Sequence, residues 1–204
     1  MFVVLDGPNG SGKSSVINSL VKKNYRTLFS PGSTEFSKLL RPICRGTDEW
    51  YNVDEQTQFL AFALSRNIEY NKLVKPYTNN DIANEVVITD RWWTSSIVYQ
   101  CLLGNFSLDY LKYTINKEEK IDLVIILTAP TEILIERIVS ERIANAKHNY
   151  CKWTRDKKLL DDINNFYKLL PDILKQHFNI ESLMIDTSVN NKEQVLNIIL
   201  EKLK

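Results

Sequence analysis

Five short apolar runs punctuate the chain, at Phe2–Leu5, Thr27–Phe29, Val86–Thr89, Leu123–Thr128 and Leu183–Ile185. The first, Phe2-Val3-Val4-Leu5, shows no alternation of polar and apolar positions, as expected of a parallel strand buried on both faces. After it, Val16, Ile17, Leu20 and Val21 recur at helical spacing. The pattern predicts helices over Lys13–Lys23, Thr34–Cys44, Asp54–Val74, Ser95–Leu103, Leu108–Ile115, Thr131–Glu141, Lys158–Phe178 and Lys192–Leu203. Strands that alternate with helices indicate an α/β fold, a parallel sheet covered on both faces. No repeat, low-complexity tract or linker divides the 204 residues, so a single domain is expected, with room for a sizeable core. Ligands of such sheets bind beyond the carboxyl ends of the strands. Asp6, Pro31, Asp90, Ala129 and Asp186 stand at or just past those ends, where one cleft would collect them.

Between the first strand and the first helix lies Gly7-Pro8-Asn9-Gly10-Ser11-Gly12-Lys13-Ser14, which satisfies the pattern G-x-x-x-x-G-K-[ST] in full. Glycines let such a loop curl so that its N–H groups converge on phosphate oxygens, and the following helix adds its positive end. Lys13 would reach the β/γ-phosphates, and the Ser14 hydroxyl would sit on Mg²⁺. The loop residues Gly7, Asn9, Gly10, Ser11, Gly12, Lys13, Ser14 and Ser15 are therefore candidates for holding a nucleoside triphosphate. A second strand, Val86-Val87-Ile88-Thr89, ends in Asp90-Arg91. A carboxylate there, Asp90 or the equivalent Asp6 after the first strand, would organise the metal. The planar fork of Arg91 suits a phosphate.

Charge narrows the partners. Lys and Arg number 26 against 25 Asp and Glu, a balance that argues against nucleic-acid or membrane-surface binding. No apolar run approaches the roughly 20 residues a membrane span needs. Met1 leads straight into the first strand, so no signal or transit peptide is expected. Cys44, Cys101 and Cys151 are odd in number and widely spaced, which fits reduced thiols in a cytoplasmic protein.

The residues after Asp90 identify a family. Asp90-Arg91-Trp92-Trp93-Thr94-Ser95-Ser96-Ile97-Val98-Tyr99-Gln100 resembles the thymidylate kinase pattern D-R-[YFH]-x-x-S-[ST]-x-A-Y-Q. Pro31-Gly32-Ser33-Thr34 followed by Arg41 is similar to that family's P-G-G-T segment and its arginine. Leu60-Ala61-Phe62-Ala63-Leu64-Ser65-Arg66 resembles L-L-F-x-A-x-R. Asp122–Leu127 with Glu136-Arg137-Ile138 resembles D-L-x-I-x-L…E-R-I, and Ile185-Asp186-Thr187-Ser188 resembles I-D-A-S. The similarity runs in order from Leu5 to the C-terminus.

The resemblance implies a three-layer P-loop NTPase fold with a five-stranded parallel sheet and a lid segment over about 142–157. It implies ATP with Mg²⁺, dTMP as the small-molecule acceptor, and a homodimer. Arg137 would lie on the ATP side. Phe62 would stack on the pyrimidine, Arg66, Ser96 and Gln100 would read the base, and Asn9 would meet the sugar. Tyr99 would disfavour a 2′-hydroxyl, and Arg41 and Arg91 would hold the monophosphate. Read without the family, Phe62 also fits a helix core, Arg66 a solvated charge, Tyr99 a buried tyrosine and Arg41 a basic helix end. Gly10 and Ser11 leave no arginine inside the P-loop, so the catalytic cation is expected from Arg142, Lys147, Lys152 or Arg155; His148 reads as a surface residue. Asn9 departs from the family's acidic residue, Ser30 from the acidic residue before Pro31, and Trp92 from Tyr, Phe or His, which would alter the acceptor pocket. The expected activity is phosphoryl transfer from ATP to dTMP. A deoxynucleoside kinase, or a deoxynucleoside monophosphate kinase of broader range, is the nearest rival. A nucleotide-binding module without turnover is a further one, although Lys13, Ser14 and Asp90 are all present and no N-K-x-D guanine motif occurs.

Overall fold

A computed structural model describes residues 1–46, 52–78, 85–145 and 156–204. The apolar runs form strands β1 (Phe2–Asp6), β2 (Arg26–Phe29), β3 (Val87–Asp90), β4 (Leu123–Thr128) and β5 (Ser182–Asp186). They make one parallel sheet in the order β2-β3-β1-β4-β5. The lack of polar–apolar alternation has the expected cause, since both faces are covered. Phe2, Val4, Val87, Val124 and Ile126 point into one core, and Val3, Leu5, Ile88, Ile125 and Leu127 into the other.

The second core is closed by Val16, Ile17 and Leu20 of α1 (Lys13–Lys22) and by Val195 and Ile199 of α8 (Lys192–Lys202). The first is closed by α3 (Glu55–Glu69), by the helix that begins at α4 (Trp93–Ser96), and by Ile163, Tyr167, Leu170 and Leu174 of α7 (Lys157–Phe178). Further helices among the described residues are α2 (Glu35–Gly46), α5 (Leu108–Thr114) and α6 (Thr131–Asn145), with a single turn at Lys75–Thr78. The result is the expected three-layer α/β arrangement.

Several element boundaries differ from those expected of the sequence, and some have a clear local reason. β1 and β3 extend one residue further, so Asp6 and Asp90 are the last paired residues of their strands; Leu5 pairs with Asp90, and Asp6 with Ile126. Asp54 lies outside α3 as its cap, its carboxylate accepting from the Thr57 N–H at 2.9 Å. Both the helix after α3 and the helix after α4 widen into π-helical turns, at Tyr70–Val74 and Ile97–Leu102, which apolar spacing does not signal. α6 runs on to Asn145 and α7 starts at Lys157, so the ends of the expected lid are helical. Among the described residues no helix is long and apolar enough to cross a membrane.

The closing helix α8 shows how local chemistry fixes an element. The Asn191 side chain accepts from the N–H groups of Glu193 and Gln194, both at 3.0 Å, and Gln194 Oε1 accepts from the Asn191 N–H at 2.8 Å. This capping box satisfies donors that the first turn cannot. Asn191→Ala should therefore cost about 1 kcal/mol in denaturant unfolding with an unchanged m-value. Stability equal to wild type would show that the core alone holds α8.

Candidate active site

The loop from Gly7 to Ser14 wraps around its own lysine. Lys13 is buried, and its ammonium donates to the carbonyls of Gly7 and Pro8, each at 2.8 Å, and reaches Ser11 Oγ at 3.4 Å. Glycine is required at two points. Gly7 has φ of 140° and a Cβ there would stand 2.2 Å from the Leu127 carbonyl oxygen of β4. Gly10 has φ of 81° and a Cβ would stand 2.7 Å from the Leu134 carbonyl oxygen of α6. The loop is thus pressed against β4 and α6, with Ser14 exposed on the first turn of α1. Arg137 of α6 clamps it from the far side, donating to the Gly10 carbonyl at 3.4 Å and to Thr187 beyond β5, at Oγ1 (2.8 Å) and the carbonyl (2.7 Å).

Asp6 is the centre of the cleft. Its carboxylate is completely buried and accepts from five groups, the Gly7 N–H, Thr94 Oγ1, Ser95 Oγ, Tyr167 OH and Arg91 Nη1. In this arrangement Asp6 holds protein groups rather than offering oxygens to a cation. Of the two carboxylates expected at the metal, Asp90 is the one with capacity left, since its Oδ1 is buried and has no hydrogen-bond partner. Asp90 and the exposed Ser14 hydroxyl are the residues that fit a magnesium ion, which binds through one or two protein oxygens with substrate phosphates completing its shell.

Arg91 joins the two sides of the cleft. Its backbone has φ of 69°, a left-handed conformation that costs a non-glycine residue on the order of 1 kcal/mol. Its N–H donates to the Leu5 carbonyl at 3.0 Å, which anchors the turn to β1. The guanidinium then donates through Nη1 to Asp6 (3.2 Å), Ser95 (3.3 Å) and Tyr167 (2.7 Å), and through Nη2 to Asn9 Oδ1 of the loop (3.0 Å). It lies 5.5 Å over the Tyr99 ring. Burial opposes its charge, but the oxygens of Tyr167, Tyr99, Asp6 and Asp90 more than offset this and raise its pKa.

The opposite wall carries the residues expected at the acceptor. Phe62 is half-buried on α3, whereas Phe59 one turn earlier is completely buried against Phe106 and Tyr110. Arg66 is buried, so it is no solvated helix charge; it donates to Ser96 Oγ at 3.2 Å, which brings two of the expected base readers together. Burial lowers its pKa to about 10, with Glu119 and Glu69 acting in the other direction. Gln100 is buried on the π-helical turn, and Tyr99 beside it is half-buried. Arg41 of α2 donates to the Pro31 carbonyl, and its guanidinium lies 5.7 Å over Phe29, whose register partner is Asp90. Arg41 therefore stands over the end of β2, beside the Asp90-Arg91 turn.

Trp92 belongs to the core. It is 2% exposed, packs edge-on against Phe2 with ring centroids 5.3 Å apart, and donates its indole N–H to Glu119. The large aromatic is drawn into the core because the extended backbone after Arg91 turns that side chain beneath the sheet. Trp93 donates to the same Glu119 oxygen at 2.7 Å, and burial pushes the Glu119 carboxyl up to about 7. The side chain of Arg142, and all of Lys147, His148, Cys151, Lys152 and Arg155, lie outside the described residues. Three partners in the cleft are assigned no role from the sequence. Thr94 and Ser95 sit inside a motif read for its neighbours, and Tyr167 lies 161 residues from the aspartate it touches. Glu69 is a fourth: buried on α3, it accepts from the Gly32 and Ser33 N–H groups at 3.0 and 2.9 Å and so fixes the turn under Arg41.

Comparison with known proteins agrees with this geometry. The thymidylate kinase family profile matches residues 5–199. A probable thymidylate kinase of Methanocaldococcus jannaschii is 31% identical, with 100% of this chain and 96% of that protein covered. A thymidylate kinase of Mycoplasmoides gallisepticum is 30% identical, covering 98% of this chain and 93% of that one. Among solved structures, the thymidylate kinase of Ehrlichia chaffeensis superposes with a TM-score of 0.71 at 17% identity, over 100% of this chain and 98% of that one, and shares the P-loop NTPase fold.

The buried lysine makes a pH-dependent prediction. Burial, followed by the neighbouring Arg91, holds the Lys13 ammonium down to about 7. At pH 8 it is then largely neutral, and a bound phosphate chain would restore its charge. Binding of Mg-ATP should take up close to one proton at pH 8 and far less at pH 6, where Lys13 is already charged. Calorimetry in buffers of different ionisation enthalpy measures this uptake, which should vanish in Lys13→Met. The same uptake in that variant would place the proton elsewhere.

Proposed function

The chain belongs to the thymidylate kinase family, and on that footing we propose that its cleft transfers the γ-phosphoryl group of ATP to dTMP, giving ADP and dTDP for deoxynucleotide biosynthesis in the cytoplasm. The observation that carries this reading is the position of Arg91, hydrogen-bonded to Asn9 of the phosphate loop at 3.0 Å and lying 5.5 Å over Tyr99 of the acceptor wall. One guanidinium thus stands between the loop built for a triphosphate and the wall built for a nucleotide.

Each residue has a physical task. The loop N–H groups and the start of α1 surround the β- and γ-phosphates. Lys13 exchanges its loop carbonyls for phosphate oxygens, and losing one oriented cation in such a site costs on the order of 3 kcal/mol of barrier. Arg137 braces the loop on the ATP side. Ser14 and Asp90 hold Mg²⁺, which supplies charge neutralisation at the phosphates. Arg91, with Arg41 over the end of β2, holds the acceptor monophosphate in line. Its oxygen is already ionised, so the reaction needs no general base, only positioning. Arg142 at the end of α6 is the nearest of the expected lid cations in sequence and completes the charge around the transferred group. Phe62 stacks on the base, while Arg66, Ser96 and Gln100 read its edge and Tyr99 crowds C2′. The exposed apolar residues Phe36 and Leu39 on α2, and Leu60 and Leu64 on the adjoining α3, support a homodimer.

Kinetics across acceptors test the reading. dTMP should be the best substrate, with dUMP turned over measurably. UMP should be roughly ten- to a hundredfold poorer in kcat/KM, because its 2′-hydroxyl would be buried unpaired. Phe62→Ala should raise KM for dTMP by about tenfold and leave KM for ATP nearly unchanged, on the scale of roughly 1–3 kcal/mol for stacking a base on an aromatic ring. A preference for thymidine over dTMP would replace this reading with that of a deoxynucleoside kinase. An equal rise in both Michaelis constants would return Phe62 to the core.

A further inference from the structure

Tyr167 occupies the middle of α7, completely buried, its ring edge-on to Tyr99 at 6.3 Å between centroids. A buried phenol must find partners for its hydroxyl, and this one has both kinds. It donates to Asp6 Oδ1 at 2.7 Å and accepts from Arg91 Nη1 at 2.7 Å, with Ser95 Oγ at 3.5 Å. The two short bonds run in one direction, from guanidinium to phenol to carboxylate, so the hydroxyl hydrogen has one place to go. Burial raises the phenol's pKa well above its ordinary value, which keeps that hydrogen in place.

The consequence lies in the hydrogens of Arg91. Nη1 carries two, and three acceptors compete for them: Tyr167 at 2.7 Å, Asp6 at 3.2 Å and Ser95 at 3.3 Å. Nη2 carries two and gives one to Asn9. Among the described residues, that leaves the second Nη2 hydrogen and the Nε hydrogen without a protein acceptor. Nε and Nη2 lie on one edge of the planar guanidinium, a fork that can meet two oxygens of a phosphate, with Asn9 sharing Nη2. We propose that Tyr167 is a positioning residue for the acceptor phosphate: by pinning Nη1 together with Asp6, it fixes which edge of Arg91 is presented to the substrate. The inference rests on the reading of Arg91 as a phosphate holder.

Tyr167→Phe keeps the ring and its packing and removes only the hydroxyl. KM for dTMP should rise about tenfold, the size of a lost hydrogen bond to a charged group, while KM for ATP stays within about twofold and the melting temperature changes little. The effect must pass through Arg91. In an Arg91→Ala background, calorimetric binding of dTMP should therefore weaken by less than about twofold when Tyr167→Phe is added. Wild-type KM for dTMP in Tyr167→Phe, equal rises for dTMP and ATP, or a full additional loss in the Arg91→Ala background would each overturn the proposal. If Arg91→Ala itself leaves dTMP binding unchanged, the role of Arg91 fails, and the role of Tyr167 with it. If only Tyr167→Phe is silent, the role of Arg91 stands.

Discussion

A carboxylate with no solvent exposure loses several kilocalories per mole of hydration, and it remains charged inside a protein only if partners replace the water. Asp6 is in that position at the last residue of the central strand, and its partners define the cleft. The Gly7 N–H ties it to the start of the phosphate loop, Thr94 and Ser95 tie it to the helix after β3, Tyr167 ties it to α7, and Arg91 supplies the opposing charge at 3.2 Å. Three stretches of chain that are distant in sequence, around residues 6–7, 91–95 and 167, therefore meet at one pair of oxygens. The left-handed turn at Arg91 is tolerable because this network and the Leu5 carbonyl hold it.

The network also separates two kinds of carboxylate at the strand ends. Asp6 spends its oxygens on the protein, and Asp90, its neighbour on β3, keeps a buried oxygen unpartnered. The sheet order explains the division. β1 is central and its end is enclosed by the loop, α4 and α7, whereas β3 lies between β1 and β2, whose following turn at Pro31 accepts from Arg41 of α2. A rigid centre with one carboxylate still available beside it suits chemistry that depends on positioning charges, as phosphoryl transfer does.

Much of this was readable in the chain because the signals are local. The G-x-x-x-x-G-K-S loop, the Val-Val-Ile-Thr-Asp-Arg strand end and the Phe62–Arg66 spacing each occupy one element, and each fell where its pattern placed it. What was missed depends on long-range packing. Nothing near Tyr167 marks it among the apolar positions of a long helix, because its function comes from partners at residues 6 and 91. Trp92 stands out in the sequence by its place in a motif, and its burial against Phe2, with Glu119 to accept its N–H, depends on residues far along the chain. The π-helical turns beside Tyr70 and Tyr99 leave the apolar spacing almost unchanged and so gave no sign. The two carboxylates were equal in sequence and became unequal only through the donors around them.

On the function proposed above, the Asp6 carboxylate, through its charge, would hold Arg91 ready for the acceptor. Asp6→Asn keeps the size of the side chain and removes the charge, so steady-state kinetics with dTMP at saturating Mg-ATP test it directly. Loss of one partner of a buried pair costs on the order of 3 kcal/mol, and kcat/KM for dTMP should fall about a hundredfold in a variant that still folds. A value within about twofold of wild type would show that Arg91 needs no buried counter-charge, and would contradict the account.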